Sequence, residues 1–143
     1  MSALPPGFEL NDDPACIDAA AAHAYLTRSY WSPGIPLETV ARAITNSLCV
    51  AVFHQGRQVA MARVVTDYAT MAYLADVYVL DEHRGQGLSK AMLAHLDTRP
   101  DLQGLRRWIL FTRDAHELYE RFGWQRTDHP ERLMLRDNPE VYA

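Results

Sequence analysis

The stretch VLDEHRGQGLSKAML, residues 79–93, contains the most unusual local chemistry in the chain. Apolar, strand-like residues end at Leu80, charged residues follow, and two glycines bracket Gln86 just before an amphipathic helical pattern begins. Glycine is entropically costly in an ordered segment, so this turn either needs glycine geometry or lets something approach its backbone closely. A strand, a glycine-rich turn and a helix together form a general phosphate-binding unit, because backbone N–H groups and the helix N-terminus attract an anion.

Two common phosphate-binding patterns fail at this turn. A P-loop requires Gly-Lys-Ser/Thr after a four-residue gap, and the stretch lacks that sequence. A dinucleotide fingerprint requires a third glycine where Lys90 stands. It also requires an acidic residue about 20 positions later, where Arg106 and Arg107 stand. The turn is therefore neither a P-loop nor a dinucleotide site.

The composition limits the class of protein. The chain has 143 residues without a linker or repeat, so one domain, residues 1–143, is expected. Its 48% hydrophobic and 22% charged residues are typical of a soluble globular protein, and a net charge of -4 argues against a nucleic-acid partner. No apolar run reaches the roughly 18 residues of a membrane span, and residues 1–6 lack the features of a secretion signal. The two cysteines lack metal-ligand spacing, and Cys49 lies in an apolar run, so we expect a cytoplasmic protein with no membrane partner.

The periodicity of apolar residues predicts an α+β (mixed α/β) domain with a central mixed, mostly antiparallel sheet and about four helices. Helices are predicted at residues 14–25 with Asp13 as cap, 37–44, 88–96, and 115–122 with Asp114 as cap and Gly123 as stop. Strands are predicted at residues 8–10, 48–54, 57–67, 71–80, 106–112 and 132–136, with a tight turn at Gln55-Gly56.

The stretches RGQGLS (residues 84–89) and DAHELYERFGW (residues 114–124) each resemble a motif of the GNAT superfamily of N-acetyltransferases. Residues 84–89 (RGQGLS) resemble its coenzyme A pyrophosphate loop, Gln/Arg-x-x-Gly-x-Gly/Ala, with Arg84 and Gly87 matching and Ser89 in the last position. Residues 114–124 (DAHELYERFGW) resemble its helix Ala-x-x-Leu-Tyr-Glu-x-x-Gly-Phe. The positions in register there are Ala115, Leu118, Tyr119, Glu120 and Gly123, with Trp124 in place of Phe. The resemblance spans about residues 48–136, and Thr112 stands where many members have Asn.

The resemblance implies an acetyl-CoA-dependent N-acetyltransferase in which the amine attacks the thioester directly. The pantetheine arm would pair with the central strand like an added strand, and a bulge near Val77 would free a backbone N–H for the thioester carbonyl. The implied cofactor contacts are Val77, Tyr78, Val79, Arg84, Gly85, Gln86, Gly87, Leu88, Ser89 and Thr112.

Two side chains are candidates for proton transfer. Tyr119 matches the tyrosine general acid of the superfamily, and the alternative is that it only packs beside Leu118 and Phe122. Asp76 lies on the central strand and points opposite to Val77, so it could accept the proton of the amine, directly or through water. An ion pair with an arginine such as Arg63 on the neighbouring strand explains Asp76 equally well.

The acceptor side is expected at the irregular stretch YWSPGIP, residues 30–36. Tyr30 and Trp31 could form an apolar or cation–π wall, although packing in the core is slightly favoured, and Tyr73 and Tyr78 are further candidates. Six scattered histidines without ligand spacing predict no metal. The acceptor, a small-molecule or peptide amine, and the choice between monomer and homodimer stay open.

Two other functions compete with acetyl transfer. A non-catalytic acyl-CoA-binding sensor or interaction module would keep the phosphate-binding turn without needing Tyr119. A serine hydrolase using Ser89 fits poorly, because the final glycine of a nucleophile elbow is missing.

Overall fold

The computed structural model describes residues 4–143, which form five strands and four α-helices. The strands are β1 (Phe8–Asn11), β2 (Leu48–His54), β3 (Arg57–Thr66), β4 (Met71–Val79) and β5 (Arg107–Leu110). The α-helices are α1 (Ala19–Leu26), α2 (Leu37–Thr45), α3 (Leu88–Thr98) and α4 (His116–Glu120). Short 3-10 turns lie at Pro14–Cys16, Asp81–His83, Pro100–Leu102 and Pro130–Arg132.

The sheet has the order β1-β2-β3-β4-β5. The strands β1 to β4 pair with one another in antiparallel orientation, and β5 is parallel to β4. The tight turn between β2 and β3 has positive φ at both Gln55 (52°) and Gly56 (78°), the geometry that favours a two-residue hairpin. The predicted α+β class with a mixed, mostly antiparallel sheet is confirmed.

The strand β4 changes partners along its length. It pairs with β5 only from Met71 to Leu74, so within the described chain residues 75–79 have no β5 partner on that side. Toward β3, Met61 faces Tyr78 and Arg63 faces Ala75, so residues 76 and 77 together oppose one residue of β3. This is a β-bulge, and the bulge predicted near Val77 is confirmed.

Alternating side chains of the sheet build two cores, one on each face. On one face, Val50 and Val52 of β2 pack with Met92 and Leu96 of α3. On the other face, residues of α1 and α2 cover the sheet, and Ala51, which lies between those two valines, belongs to this second core. Helices therefore hold both faces of β4, and its divergence from β5 leaves an opening at the edge.

The first predicted helix is broken in two. Asp13 accepts the Ala15 N–H as expected, but only the 3-10 turn Pro14–Cys16 follows, and Ile17 is extended. A second aspartate, Asp18, then accepts the Ala21 N–H at 3.0 Å and caps α1. Each aspartate accepts a free backbone N–H at the beginning of its own helical segment, so the chain starts a helix twice. The prediction of one continuous helix at residues 14–25 is therefore wrong.

The predicted strand at residues 132–136 is also wrong. Residues 133–138 have no regular secondary structure, and the Met134 side chain is 91% exposed. A strand needs a neighbouring strand to bond its N–H and C=O groups, and no register among the described residues pairs this segment with the sheet.

No helix among residues 4–143 has the length and hydropathy needed to cross a bilayer.

Candidate active site

A cavity of about 1050 Å³ lies where β4 and β5 diverge. Its walls are the free part of β4, the turn that leads into α3, the loop between α1 and α2, and the segment that follows β5. The cavity brings together most of the residues that the sequence placed at the site. It is lined by Tyr30, Trp31, Tyr73, Asp76, Val77, Tyr78, Val79, Arg84, Gly85, Gly87, Leu88, Ser89, Thr112 and Tyr119.

The turn into α3 has the open backbone that a diphosphate requires. Gly85 and Gly87 have φ of 79° and 80°, a region that L side chains rarely adopt, and a Cβ at either glycine would meet no atom within 4 Å. Backbone conformation, not internal packing, therefore demands these glycines. Gln86 between them is exposed and, unlike the two glycines, is not among the residues that line the cavity. Buried Leu88 anchors the start of α3, whose first turn contains no acidic residue and no side-chain cap. The N–H groups of that turn are thus available to an anion.

The Arg84 side chain is held on the wall of the cavity by three acceptors. Its Nη2 donates to the Tyr25 hydroxyl at 2.9 Å and lies 3.0 Å from the Asp81 carboxylate. Its Nε donates to the backbone carbonyl of Val79 at 3.3 Å. The guanidinium is therefore fixed between α1 and the end of β4 while its side chain stays 57% exposed.

The free edge of β4 presents backbone groups to the cavity. Leu80 donates its N–H to Val59 on β3 at 2.9 Å, so the preceding residue faces the other way. The Val79 carbonyl bonds Arg84 on that other side, which agrees with this orientation. Successive residues of a strand point their backbone groups to opposite sides, so the N–H groups of Val77 and Val79 point toward the opening between β4 and β5. An extended arm could pair with them there.

The Tyr78 side chain packs on the opposite face. It is buried, its hydroxyl accepts a hydrogen bond from Gln58 Nε2 at 3.2 Å, and its ring stacks on Tyr25 with centroids 4.5 Å apart. Burial raises the pKa of Tyr78 to about 12. Tyr78 therefore packs beneath Tyr25, although it is also among the residues that line the cavity.

Tyr119 both packs and faces the cavity. It is 9% exposed, belongs to the core on the α3 face, and meets Trp124 edge to face at 6.1 Å. Burial raises the pKa of Tyr119 to about 12. The phenol thus carries its proton throughout the neutral range, as a hydrogen-bond donor at the cavity wall must.

Thr112 starts the helix that carries Tyr119. Its Oγ1 accepts the Ala115 N–H at 3.0 Å, and Ala115, not Asp114, is the N-cap residue of α4. The prediction that Asp114 caps this helix is wrong, because the hydroxyl three residues before Ala115 already satisfies that N–H. Thr112 also lines the cavity, and its contact to a cofactor stays a prediction.

Asp76 forms the ion pair that the sequence offered as its alternative explanation. Arg63 Nε lies 2.8 Å from Asp76 Oδ2, with both side chains largely buried, and Arg63 Nη1 also donates to Ser47 Oγ. The Trp31 indole N–H donates to Asp76 Oδ1 at 2.8 Å. The positive φ of Asp76 (51°) belongs to the bulge, so the bulge directs this carboxylate toward Trp31. The role of Asp76 as a general base stays a hypothesis.

Tyr30 and Trp31 are not core residues, so that interpretation is wrong. They are 49% and 39% exposed and line the cavity from the α1–α2 loop. The Tyr30 hydroxyl accepts the Arg113 backbone N–H at 3.3 Å, and the Arg113 guanidinium lies 3.8 Å from the centre of the Tyr30 ring. The α1–α2 loop thus contacts both sides of the opening: Trp31 bonds Asp76 of β4, and Tyr30 bonds Arg113 in the segment after β5.

Three further aromatic side chains line the cavity without having been predicted. Tyr25 lies beside Arg84, Phe111 meets the half-buried Tyr73 edge to face at 5.9 Å, and Tyr142 packs beside Gly34. Burial raises the pKa of Tyr73. Arg113 could have been found from its place beside Thr112, whereas Tyr25, Phe111 and Tyr142 belong to no motif.

The competing chemistries find little support at this cavity. Ser89 is the second residue of α3, and its described hydrogen bonds include none to a histidine or carboxylate, as a nucleophile would need. Within residues 4–143, no three histidine, cysteine or acidic side chains form a group that could hold a metal ion. His83 instead packs against Phe8 and His54.

Comparisons with known proteins agree with this geometry. The sequence model of the acetyltransferase (GNAT) domain matches residues 45–126. A GNAT-family protein from Xanthomonas campestris pv. campestris, solved as a crystal structure, is 48% identical and superposes with a TM-score of 0.92, covering 96% of this chain and 98% of its own. A candidate acetyltransferase of Gibberella zeae is 30% identical, with coverage of 78% of this chain and 75% of its own. A candidate acetyltransferase from Clostridium acetobutylicum, solved with acetyl-CoA, shares the fold at 18% identity, with a TM-score of 0.69 and coverage of 90% and 96%. The chain therefore belongs to the GNAT family of acetyltransferases.

Proposed function

We propose that this protein transfers the acetyl group of acetyl-CoA to a primary amine of a small molecule or peptide by direct attack. One observation carries the proposal. Among residues 4–143, no strand pairs with the edge of β4 at residues 75–79, and this edge leads into the N-terminus of α3, which has no side-chain cap. Tyr119 lines the same cavity. The N–H groups of the β4 edge suit an extended arm that carries a thioester, and those at the start of α3 suit a diphosphate at the other end of the arm.

The residues that would hold acetyl-CoA follow from that arrangement. Backbone N–H groups of residues 85–89 would bind the diphosphate, and those of Val77 and Val79 would pair with the pantetheine arm. Arg84 and Lys90 add positive charge beside the turn. The acetyl-CoA in the Clostridium acetobutylicum structure supports this assignment through the shared fold.

Backbone geometry supplies the electrophilic activation. The bulge at residues 76 and 77 interrupts the pairing with β3, and alternation turns the Val77 N–H toward the cavity. This N–H donates to the thioester oxygen as the amine nitrogen attacks the carbonyl carbon and negative charge develops there. No nucleophilic side chain takes part.

Tyr119 assists departure of the sulfur as a hydrogen-bond donor. Its pKa of about 12 exceeds that of a thiol, about 8.5, so complete proton transfer to the thiolate is uphill by about 5 kcal/mol. A hydrogen bond that strengthens as the C–S bond breaks avoids most of that cost. The proton that the amine loses goes to Asp76, directly or through water, because each carboxylate oxygen keeps a lone pair beyond its bond to Arg63 or Trp31.

We place this reaction in the cytoplasm. Both cysteines are free thiols, one buried and one exposed, which agrees with a reducing compartment.

A single substitution separates the proposed enzyme from an acyl-CoA-binding sensor. An acetyl-CoA consumption screen against an amine library first identifies an acceptor. Tyr119→Phe should then lower kcat about 10- to 100-fold, at the lower end of acid–base effects, while calorimetry shows unchanged affinity for CoA. The control Tyr68→Phe removes a hydroxyl from an exposed loop tyrosine and should change neither quantity.

Two outcomes would contradict the proposal. Binding of CoA without turnover of any amine would favour the sensor. Full activity of Tyr119→Phe would remove Tyr119 from the mechanism.

A further inference from the structure

Tyr25 links α1 to the phosphate-binding turn. Its hydroxyl accepts a hydrogen bond from Arg84 Nη2 at 2.9 Å, across 59 residues of sequence. Tyr25 lies outside residues 45–126, the part of the chain that the GNAT sequence model matches. The contact is therefore a property of this chain that the family motif does not describe.

The ring that carries this hydroxyl is held in place from several sides. It stacks on Tyr78 with centroids 4.5 Å apart and planes 13° from parallel. The Arg28 guanidinium lies 4.7 Å from its centre, and Trp31 lies at 6.2 Å. An aromatic ring packed in this way has little freedom, so its hydroxyl is a fixed acceptor.

The platform beneath the ring is itself fixed by buried hydrogen bonds. Gln58 is buried in the sheet, and its Nε2 donates to the Tyr78 hydroxyl. The same amide group also bonds both the N–H and the C=O of Asp18, at the start of α1. Buried polar groups that are fully bonded in this way hold one geometry, which here relates α1 to β4.

The Arg84 guanidinium is thereby oriented at the turn. The described contacts use its Nε and Nη2, whose acceptors are Val79, Asp81 and Tyr25, and involve neither N–H of Nη1. Asp81 is close in sequence and Val79 ends the strand, so Tyr25 is the one of these acceptors that comes from a distant part of the chain. An arginine held by part of its donors can present the rest to an anion without losing further side-chain freedom.

We propose that Tyr25 is a positioning residue that holds Arg84 at the phosphate-binding turn and so sets the affinity for acyl donors that carry a diphosphate. The inference rests on the proposed function, because it requires the diphosphate to lie at residues 84–89. Tyr25 itself touches no reacting atom.

The conservative variant Tyr25→Phe tests this role. It keeps the stacked ring and removes only the hydroxyl. The KM for acetyl-CoA and the Kd for CoA should rise about 3- to 10-fold, the range for a partly solvated hydrogen bond to a charged group. The kcat at saturating acetyl-CoA should change less than the KM, and Tyr68→Phe serves as the matched control.

A truncated donor distinguishes positioning of Arg84 from a general structural effect. S-acetylpantetheine has the same thioester and arm but no diphosphate, so its KM should be the same for Tyr25→Phe and the unsubstituted protein. Equal increases for both donors would show that the hydroxyl only supports the fold, and would overturn the inference. In the double variant with Arg84→Gln, removal of the hydroxyl should have no further effect on the Kd for CoA.

The failures of the two proposals differ in this experiment. If Arg84→Gln weakens CoA binding and Tyr25→Phe does not, only the role of Tyr25 is overturned. If the unsubstituted protein binds CoA and S-acetylpantetheine equally, or does not bind CoA, the diphosphate site itself is wrong.

Discussion

Replacing Gly87 by alanine separates the two reasons for which the turn between β4 and α3 contains glycine. The residue has φ of 80°, and a Cβ built on it meets no protein atom within 4 Å. The folded state should therefore lose only the cost of placing an L residue in the left-handed region, about 1–2 kcal/mol. Alanine also lowers the conformational entropy of the unfolded chain, which offsets about 0.4–1 kcal/mol of that cost. The free energy of unfolding should therefore fall by about 1 kcal/mol.

The effect on ligand binding should be larger than the effect on folding. If the open face of the turn receives a diphosphate, the new methyl group lies where close approach of an anion to the backbone is needed. We expect the Kd for CoA to rise at least about 10-fold, which corresponds to about 1.4 kcal/mol of binding free energy. The melting temperature should fall by about 3–5 °C for a chain of this size.

The control is Gly104→Ala, because Gly104 has nearly the same φ (75°), equally open surroundings and no place in the cavity. Differential scanning calorimetry should give similar losses of melting temperature for both variants. Titration calorimetry with CoA should show weakened binding for Gly87→Ala alone. The reasoning is refuted if Gly87→Ala binds CoA normally, or if Gly104→Ala loses binding to the same extent.

Three further predictions concern buried groups. Asp76→Asn removes the negative charge opposite the largely buried Arg63, and urea unfolding should show a loss of about 1–3 kcal/mol; unchanged stability would contradict the ion pair. The pKa of Tyr119, about 12, lies above the value near 10 of an unfolded tyrosine, so its contribution to stability is present below about pH 10 and is lost as the pH rises toward 12. Tyr119→Phe should therefore unfold with a weaker dependence on pH in this range, and an unchanged dependence would count against burial of the phenol. Burial raises the pKa of Cys49 to about 11, so iodoacetamide near pH 8 should modify only the exposed Cys16 of the native protein; two adducts by mass spectrometry would disagree with the fold.

Local patterns predicted the central part of the fold well. The strands β2, β3 and β4, the tight turn at Gln55 and the helix α3 agree with the structure to within two residues. These elements depend on alternation or helical periodicity of buried side chains, which can be read directly along the chain. The predictions failed where a competing local interaction decided the outcome, as at Asp18, or where a strand needed a partner that its own sequence cannot supply, as at residues 132–136.

The site was predicted as a set of motif positions but not as a set of contacts. Thr112 was placed at the cofactor, yet its hydroxyl begins the helix of Tyr119. Asp76 had two explanations of equal weight, and only its distances to Arg63 and Trp31 show the ion pair. Alternation along a strand indicates which face a side chain occupies, but it does not show which side chain of another element lies opposite.

The glycine-rich turn between a strand and a helix could be predicted from residues 79–93 alone, because positive φ angles and a helix N-terminus are properties of a short continuous segment. The tertiary structure alone decided that β4 diverges from β5 and that the loop after α1 crosses the resulting opening. Three contacts hold α1 and this loop against the cavity: Trp31 to Asp76, Tyr25 to Arg84 and Tyr30 to Arg113. The residues that they join are 45, 59 and 83 positions apart in the sequence. Contacts of that separation depend on how the helices pack against both faces of the sheet, and no local pattern of residues records that packing.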